Sequence, residues 1–239
     1  MTKIEAGSAR GGYHHGDLRQ AMITAAEAVL AEKGLAGFTL RECARRAGVS
    51  PAAPAHHFGN LTGLLTAIAT LGFDGLSDAM EAAAEAASHR TNGNRMAAIC
   101  DAYLATALDK PGRFRVVFGQ MGLNWEEPAF KRASGRAFGI LVRETRCELG
   151  RESGDDLLTR HPPSFAGEPD LAAILFVWSV THGFTTLLID GQLDFLAEEG
   201  GREVLLGLYS RQLVAILIAA LRTLDLPPPE ALAKPRGDG

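Results

Sequence analysis

The feature that most constrains this sequence is the period of its apolar residues, which recur at three- and four-residue spacing along nearly the whole chain while strict alternation is almost absent. Such a pattern cannot lay down a half-buried sheet, and it confines the chain to all-α folds. Residues 17–33 place Leu18, Met22, Ala25, Ala26, Val29 and Leu30 on one helix face, with Gly34 as the stop. A second, short helix is predicted from Thr39, because Thr39-Leu40-Arg41-Glu42 has the form of a capping box. It stops at Ala47-Gly48. Ser50-Pro51 then reads as an N-cap followed by proline in the first helical position, opening a third helix over about 50–58, with Pro54 inside it at the loss of one hydrogen bond. Asn60 is placed to cap a helix over 61–87, bent at Gly72. Further helices are predicted near 95–108, 112–121, 129–149, 169–189 and 201–224, with a loop over 150–169.

Several function classes are excluded early. With 239 residues the chain can bury a sizeable core without staples. Its three cysteines, Cys43, Cys100 and Cys147, are dispersed and form no CxxC pair, which argues for a reducing compartment and against a cysteine zinc site. The N-terminal stretch has no apolar segment fit for export, so a cytoplasmic location is expected. The most apolar window, 171–188, is long enough to raise the question of a membrane. It holds Ser179, Thr181, His182, Thr185 and Thr186, and we read it as a helix buried in protein, with no membrane partner. No phosphate-binding loop, nucleophile elbow, zinc-protease or dinucleotide motif occurs, so no enzymatic activity and no cofactor is expected. The adjacent pairs His14-His15 and His56-His57 diverge by about 100° on a helix and do not make a metal site.

The charge is unevenly shared. The net charge is −4, yet residues 1–60 carry seven lysines and arginines against five carboxylates, a balance of +2 that leaves −6 for the remainder. A mildly cationic end on an acidic body suits a protein that touches an anion at one end only. Within that end, Thr39–Phe58 is a helix, a four-residue turn and a second short helix, the helix-turn-helix pattern. Ala44 is small where the two helices approach, Gly48 supplies the positive φ of the turn, and Val49 plugs the gap. Leu40, Cys43 and Phe58 complete a small core with the first helix. An ordinary αα-hairpin would need none of these together.

These residues resemble the DNA-binding domain of the TetR family of bacterial transcriptional regulators over about 16–71, with LRECARRAGVS and the later HHF and LL in register. The lead-in Gly12-Tyr13-His14-His15-Gly16-Asp17-Leu18-Arg19 and the later Trp178-Ser179-Val180-Thr181-His182-Gly183 are similar to the branch whose C-terminal domain carries a WHG motif. The resemblance implies a recognition helix over 50–57, with Ser50, Pro51, Ala52, Ala53, Ala55, His56 and His57 in the major groove of an operator and Thr39 and Arg41 near phosphates. Independently of it, a helix start at Ser50 offers free amides to a phosphate, and Arg41, Arg45 and Arg46 offer charge. Arg45 reads equally well as a solvated surface charge, and Arg46 is spaced to pair with Glu42.

Two positions depart from the family pattern. Ala55 stands where a phosphate-contacting tyrosine is usual, and Leu61 where a lysine usually meets the backbone. Either His56 or His57 can donate to a phosphate oxygen in their place, while His57 also reads as a packing residue beside Phe58. Bare Ala52, Ala53 and Ala55 leave thymine-methyl contact or DNA shape as sources of specificity.

The helices predicted near 169–189 and 201–224 are apolar around most of their circumference, more than one domain core can cover. In a TetR relative such helices pair with their two-fold mates, which implies a homodimer and a palindromic operator with half-sites about 34 Å apart. Aromatic and flexible apolar residues concentrate in the middle helices, among them Phe114, Phe176 and Phe184. Of this group Phe118, Met121, Trp125, Phe130 and Trp178 are expected to line a small-molecule pocket, with Thr181, His182 and Thr185 as polar anchors. An ordinary aromatic core is the plainer alternative. The expected organisation is an N-terminal arm (1–15), a three-helix helix-turn-helix domain (16–60), a helical ligand-binding and dimerisation domain (61–226) and a disordered tail (227–239). The expected function is a repressor of transcription released from its operator by a small apolar or aromatic ligand. The alternative is a ligand-binding or scaffolding protein of the same fold with weak or lost operator binding.

Overall fold

The computed structural model describes residues 15–34, 36–91, 93–119, 122–151, 170–196 and 201–223. The expected arm before His15, Met121, almost all of the loop over 150–169 and the tail over 227–239 lie outside the described residues. All regular elements among those described are helical. They are α1 (His15–Lys33), α2 (Leu40–Arg46), α3 (Ala53–Phe58), α4 (Leu61–Ser88), α5 (Arg95–Asp109), α6 (Pro111–Phe118), α7 (Pro128–Glu148), α8 (Leu171–Ile189), α9 (Gly201–Leu208) and α10 (Val214–Thr223).

Local chemistry sets the first boundaries. Thr39 is the N-cap of α2, its Oγ1 accepting the Glu42 amide at 3.2 Å, but the return half of the expected capping box is not made. The Glu42 carboxylate instead takes Lys33, Arg45 and Arg46 at 2.9, 2.8 and 3.2 Å, because three cations are stronger partners than one backbone amide. Gly48 adopts φ +68°, which lets the Val49 amide reach back to the Ala44 carbonyl at 3.1 Å.

The third helix corrects the expectation over 50–58. It begins at Ala53 with Ala52 as N-cap and no side-chain cap, and Pro54, not Pro51, is the proline of its first turn. Pro54 therefore costs no hydrogen bond, since an amide in the first turn has no intrahelical acceptor. Ser50 precedes the helix, its carbonyl accepting the Ala53 amide at 3.0 Å in a turn. Asn60 caps α4 as expected, accepting the Gly63 amide at 3.0 Å.

α4 is the spine. It packs against α3 of the helix-turn-helix and against α5, α6 and α7 beyond it. Gly72, expected to bend it, is instead a point of close approach: a Cβ there would lie 2.4 Å from Val117 Cγ2 on α6. One continuous core runs from Met22, Ile23 and Val29 through Leu64, Ile68 and Phe73 to Phe130, Val177 and Tyr209. Between α9 and α10 the chain makes a π turn, Tyr209–Leu213. Its first residue, Tyr209, is fully buried, stacks on Phe184 at 4.7 Å between centroids and donates its hydroxyl to the Cys100 carbonyl at 3.3 Å.

α5 and α7 are cross-linked by charge at Glu144, which is only 2% exposed and accepts Arg95 at 2.7 Å and Arg143 at 2.9 Å. Burial works to raise the carboxyl's pKa. Its hydrogen bonds from the two guanidinium groups, with their charges, overcome that and hold it below the usual carboxylate value of 4.5. A depressed folded-state pKa stabilises the fold above the unfolded value, and that contribution is lost as pH falls through the folded one. Glu144→Gln is therefore expected to cost about 2 kcal/mol at pH 7. The deficit should narrow in urea melts run progressively below pH 4.5; a deficit independent of pH would show that packing, not charge, is what Glu144 supplies.

α8 and the stretch Glu203–Thr223 are long and apolar enough to cross a membrane by length and composition, with mean hydropathy 1.7 and 2.0. Each has one face in the core. Ala173, Ile174, Val177, Thr181, Phe184, Thr185 and Leu188 form the inner face of α8, and Leu205, Tyr209, Val214, Leu217 and Leu221 that of the last helices. On the outside Leu175, Phe176, Leu187, Val204, Leu208 and Ile216 are exposed, Ile216 by 63%. The sequence-based surplus of apolar surface is thus present as exposed apolar side chains on α8, α9 and α10, of which Leu175 also lines the cavity described below.

Candidate functional site

Two features carry functional chemistry, and the first is the outer surface of the helix-turn-helix. Thr39, Arg41, Arg45, Ser50, Pro51, Ala52, Ala55 and His56 are exposed, and Ala53 and His57 are half-buried. Electrostatics divides the cations. Arg46 turns inward to Glu32 and Glu42, and Arg45 is tied to Glu42, whose carboxyl is held far below the usual range by Arg45, then Lys33 and Arg46. Arg41 makes no ion pair among the described residues and is the cation on α2 most open to an external phosphate. His57 lies against Phe58, ring centroids 6.5 Å apart, and Arg19 sits over the same phenyl ring at 5.8 Å. Leu61 is half-buried and packed on the core, so it supplies no charge at the start of α4.

The second feature is a cavity of about 1210 Å³ between α4, α5, α6, α7 and α8. Of the residues expected to line a pocket, Phe118, Trp125, Trp178, Thr181 and His182 do so. Phe130 and Thr185 do not. Phe130 is fully buried behind the wall, edge-on to Phe73 and Trp125, and the Thr185 hydroxyl is spent on the Thr181 carbonyl at 2.8 Å.

Residues not anticipated complete the wall. Phe73 and Met80 come from α4, Ile99, Cys100 and Tyr103 from α5, and Phe138 from α7, while Glu126 and Lys131, 2.6 Å apart, stand at the exposed mouth beside Trp125. Tyr103 is the informative omission. Its hydroxyl lies 2.8 Å from His182 Nδ1, and the two rings meet edge-on with centroids 6.4 Å apart, so α5 and α8 are joined across the cavity wall. A single tyrosine among alanines and leucines on a core helix was the available signal.

Away from the mouth, burial favours the neutral forms of the titratable groups in this wall. Burial raises the Tyr103 phenol well above its ordinary value, pushes the Cys100 thiol up to about 11 and lowers the His182 imidazole. Among the described residues no cluster of histidine, cysteine and carboxylate suits a metal ion.

The two features share a seam. α6, which contributes Val117, Phe118 and the adjoining Gly119 to the cavity, starts against α1: a Cβ at Gly112 would sit 3.0 Å from Leu30 Cβ, and Arg113 hydrogen-bonds Glu27.

Comparison with known proteins agrees with this division. Residues 22–68 match the family model for bacterial regulatory proteins of the tetR family, and residues 96–205 match a tetracyclin repressor-like C-terminal domain. No curated protein is significantly similar. Among solved structures, a protein of unknown function from Rhodococcus sp. RHA1 is 28% identical, with a TM-score of 0.62 over 87% of this chain and 99% of that one. A protein described as regulatory, SCO4313, is 22% identical, with a TM-score of 0.61 over 86% and 95%. The TetR-like transcriptional regulator LfrR from Mycobacterium smegmatis, solved in complex with proflavine, shares the fold at 18% identity, with a TM-score of 0.51 over 88% and 99%. With a helix-turn-helix at one end, a cavity-bearing helical domain at the other and family models that together span about two thirds of its length, the chain belongs to the TetR family of bacterial transcriptional regulators.

Proposed function

We propose that this protein is a cytoplasmic, homodimeric repressor that holds a palindromic operator and releases it when an apolar or aromatic small molecule fills the cavity. It acts by binding, not by catalysis. The observation that carries the reading is the seam between α1 and α6, which joins the cavity wall to the DNA-binding domain through Gly112 on Leu30 and Arg113 on Glu27. A ligand that displaces Phe118 must move α6, and α6 cannot move without pushing α1. That LfrR was crystallised with proflavine adds a precedent for a flat aromatic ligand in this fold.

The outer face of α8, α9 and α10 is assigned to the second protomer. Phe176, Ser179, Gly183 and Leu187 lie along one side of α8, and covering such a stripe with its own two-fold copy removes apolar surface from water without a further partner. Two recognition helices then stand about one DNA turn apart. In each protomer, Arg41 and Thr39 serve the phosphates, and Ser50, Pro51, Ala52, Ala53, Ala55, His56 and His57 approach the bases, with Arg45 giving the complex a charge it shares with Glu42.

A second reading has a specific observation behind it. Ala55 and Leu61 bring no phosphate donor, and Arg46 is committed inward, so the same fold with little operator affinity would look much like this one. Fluorescence anisotropy against DNA from upstream of the gene, with a scrambled control at two salt concentrations, separates the two. A repressor gives a Kd of about 10 nM or tighter on the promoter alone, weakening as salt rises. Equal, weak binding to both fragments would favour a ligand-binding protein that has lost its operator.

A further inference from the structure

The cavity wall limits what the ligand can be. Among the described residues its only ionised side chains are Glu126 and Lys131, and these sit at the mouth, already paired with each other. Farther in, the polar side chains described are Cys100, Tyr103, Ser134, Trp178, Thr181 and His182, none of them a carboxylate, lysine or arginine. A charged ligand would leave water with nothing of opposite sign to meet it, which is the costliest form of burial. The walls themselves are flat rings: Phe118 stands edge-on to Phe73 at 5.7 Å and to His182 at 4.7 Å, and Phe138 stands edge-on to Trp178 at 6.1 Å. At about 1210 Å³ the space exceeds the roughly 300–1,000 Å³ of a common small-molecule site, and such ring-lined slots suit a fused ring system.

The Ser134 and Thr181 hydroxyls of the wall already have acceptors in Phe130 and Cys100, whereas the polarity of His182 is set by its buried partner. The buried Tyr103 hydroxyl must find an acceptor, and His182 Nδ1 at 2.8 Å is its one hydrogen-bond partner among the described residues, so the phenol sends its proton there. A neutral imidazole that accepts at Nδ1 carries its proton on Nε2. There the neighbour is the Thr186 hydroxyl at 3.4 Å, a long contact that leaves the donor poorly used. Accordingly we propose that the cavity takes an uncharged polycyclic molecule whose carbonyl oxygen accepts a hydrogen bond from His182 Nε2–H, and that it rejects cations of the same shape. The proposal rests on the ligand-binding reading above and names its ligand class.

Both tryptophans of the chain, Trp125 and Trp178, line the cavity, so intrinsic fluorescence reports occupancy directly. Three tricycles of matched size are titrated into the intact protein, with calorimetry for affinity: 9-fluorenone, fluorene and the 9-aminoacridinium cation. Fluorenone should quench and bind at least tenfold tighter than either of the others. His182→Phe should reduce its preference over fluorene to less than threefold. Tyr103→Phe, which keeps the ring and frees the imidazole to switch tautomer, should reduce that preference at least threefold and serves if the histidine variant does not fold. Fluorene binding as well as fluorenone, a preference that survives both variants, or tightest binding of the cation would each overturn the proposal while leaving a ligand site in place. Binding of none of the three would overturn the proposal and the ligand-binding reading together.

Discussion

Replacing Phe130 by alanine is expected to lower the melting temperature by about 6–20 °C, the largest stability effect of any single side chain near the cavity. Phe130 sits in the first turn of α7, fully buried, with its ring edge-on to Phe73 of α4 at 5.7 Å and to Trp125 at 5.1 Å. A Phe→Ala change in a core costs about 3–5 kcal/mol, and the upper part of that range applies where the surroundings cannot close the gap. Here they cannot. Phe73 and Trp125 already face the cavity on their other side, so the new hole joins an existing one instead of collapsing. Calorimetry on the purified variant measures this, and a fall below about 3 °C would mean that the wall relaxes into the space.

Arg113→Ala is expected to leave DNA binding in place and abolish the response to ligand. Through its guanidinium on Glu27 and its side-chain carbons against Gly72, Arg113 touches α1 and α4 at once from a position on α6. Coupling between two sites amounts to about a 5–150-fold change in affinity in typical cases, and removing the strut should bring it to near twofold. The measurement is operator affinity with and without 9-fluorenone for the wild type and for Arg113→Ala. The charge-swapped pair Glu27→Arg with Arg113→Glu should restore part of the response, because the strut needs an ion pair and not a particular order of partners. Coupling that is undiminished in Arg113→Ala would move the transmission to the Gly112–Leu30 contact or to α4.

What was legible in the sequence follows the range of the interaction responsible. Thr39, Gly48 and Asn60 act on amides within a few residues, so the caps and turn around α2 and the start of α4 could be placed from residue types alone. The start of α3 could not. Two prolines three residues apart each satisfy the rule for a first helical turn, and only the packing of Pro54 against the core decides between them. The second half of the capping box failed for a similar reason, since Lys33 lies on another helix, nine residues away from Glu42. In the cavity, α8 and its aromatic residues announce themselves by composition. Tyr103 and Cys100 do not, because their meeting with His182 and Thr181 joins helices about 80 residues apart in sequence. The seam at Arg113 and Glu27 is of the same long-range kind.

The π turn at Tyr209–Leu213 has a consequence for comparing this chain with its relatives. A π turn is an α-helix holding one residue more than its hydrogen-bond ladder needs, and the surplus is taken up locally. The helix before it keeps Leu205 inward and the helix after it keeps Leu217 and Leu221 inward, whether or not the surplus is there. A relative lacking one residue between 209 and 213 would run as plain α-helix with the same two faces. In an alignment of the last helix, the single-residue gap therefore belongs beside Tyr209, and placing it elsewhere would exchange the core face for the outer one in everything that follows.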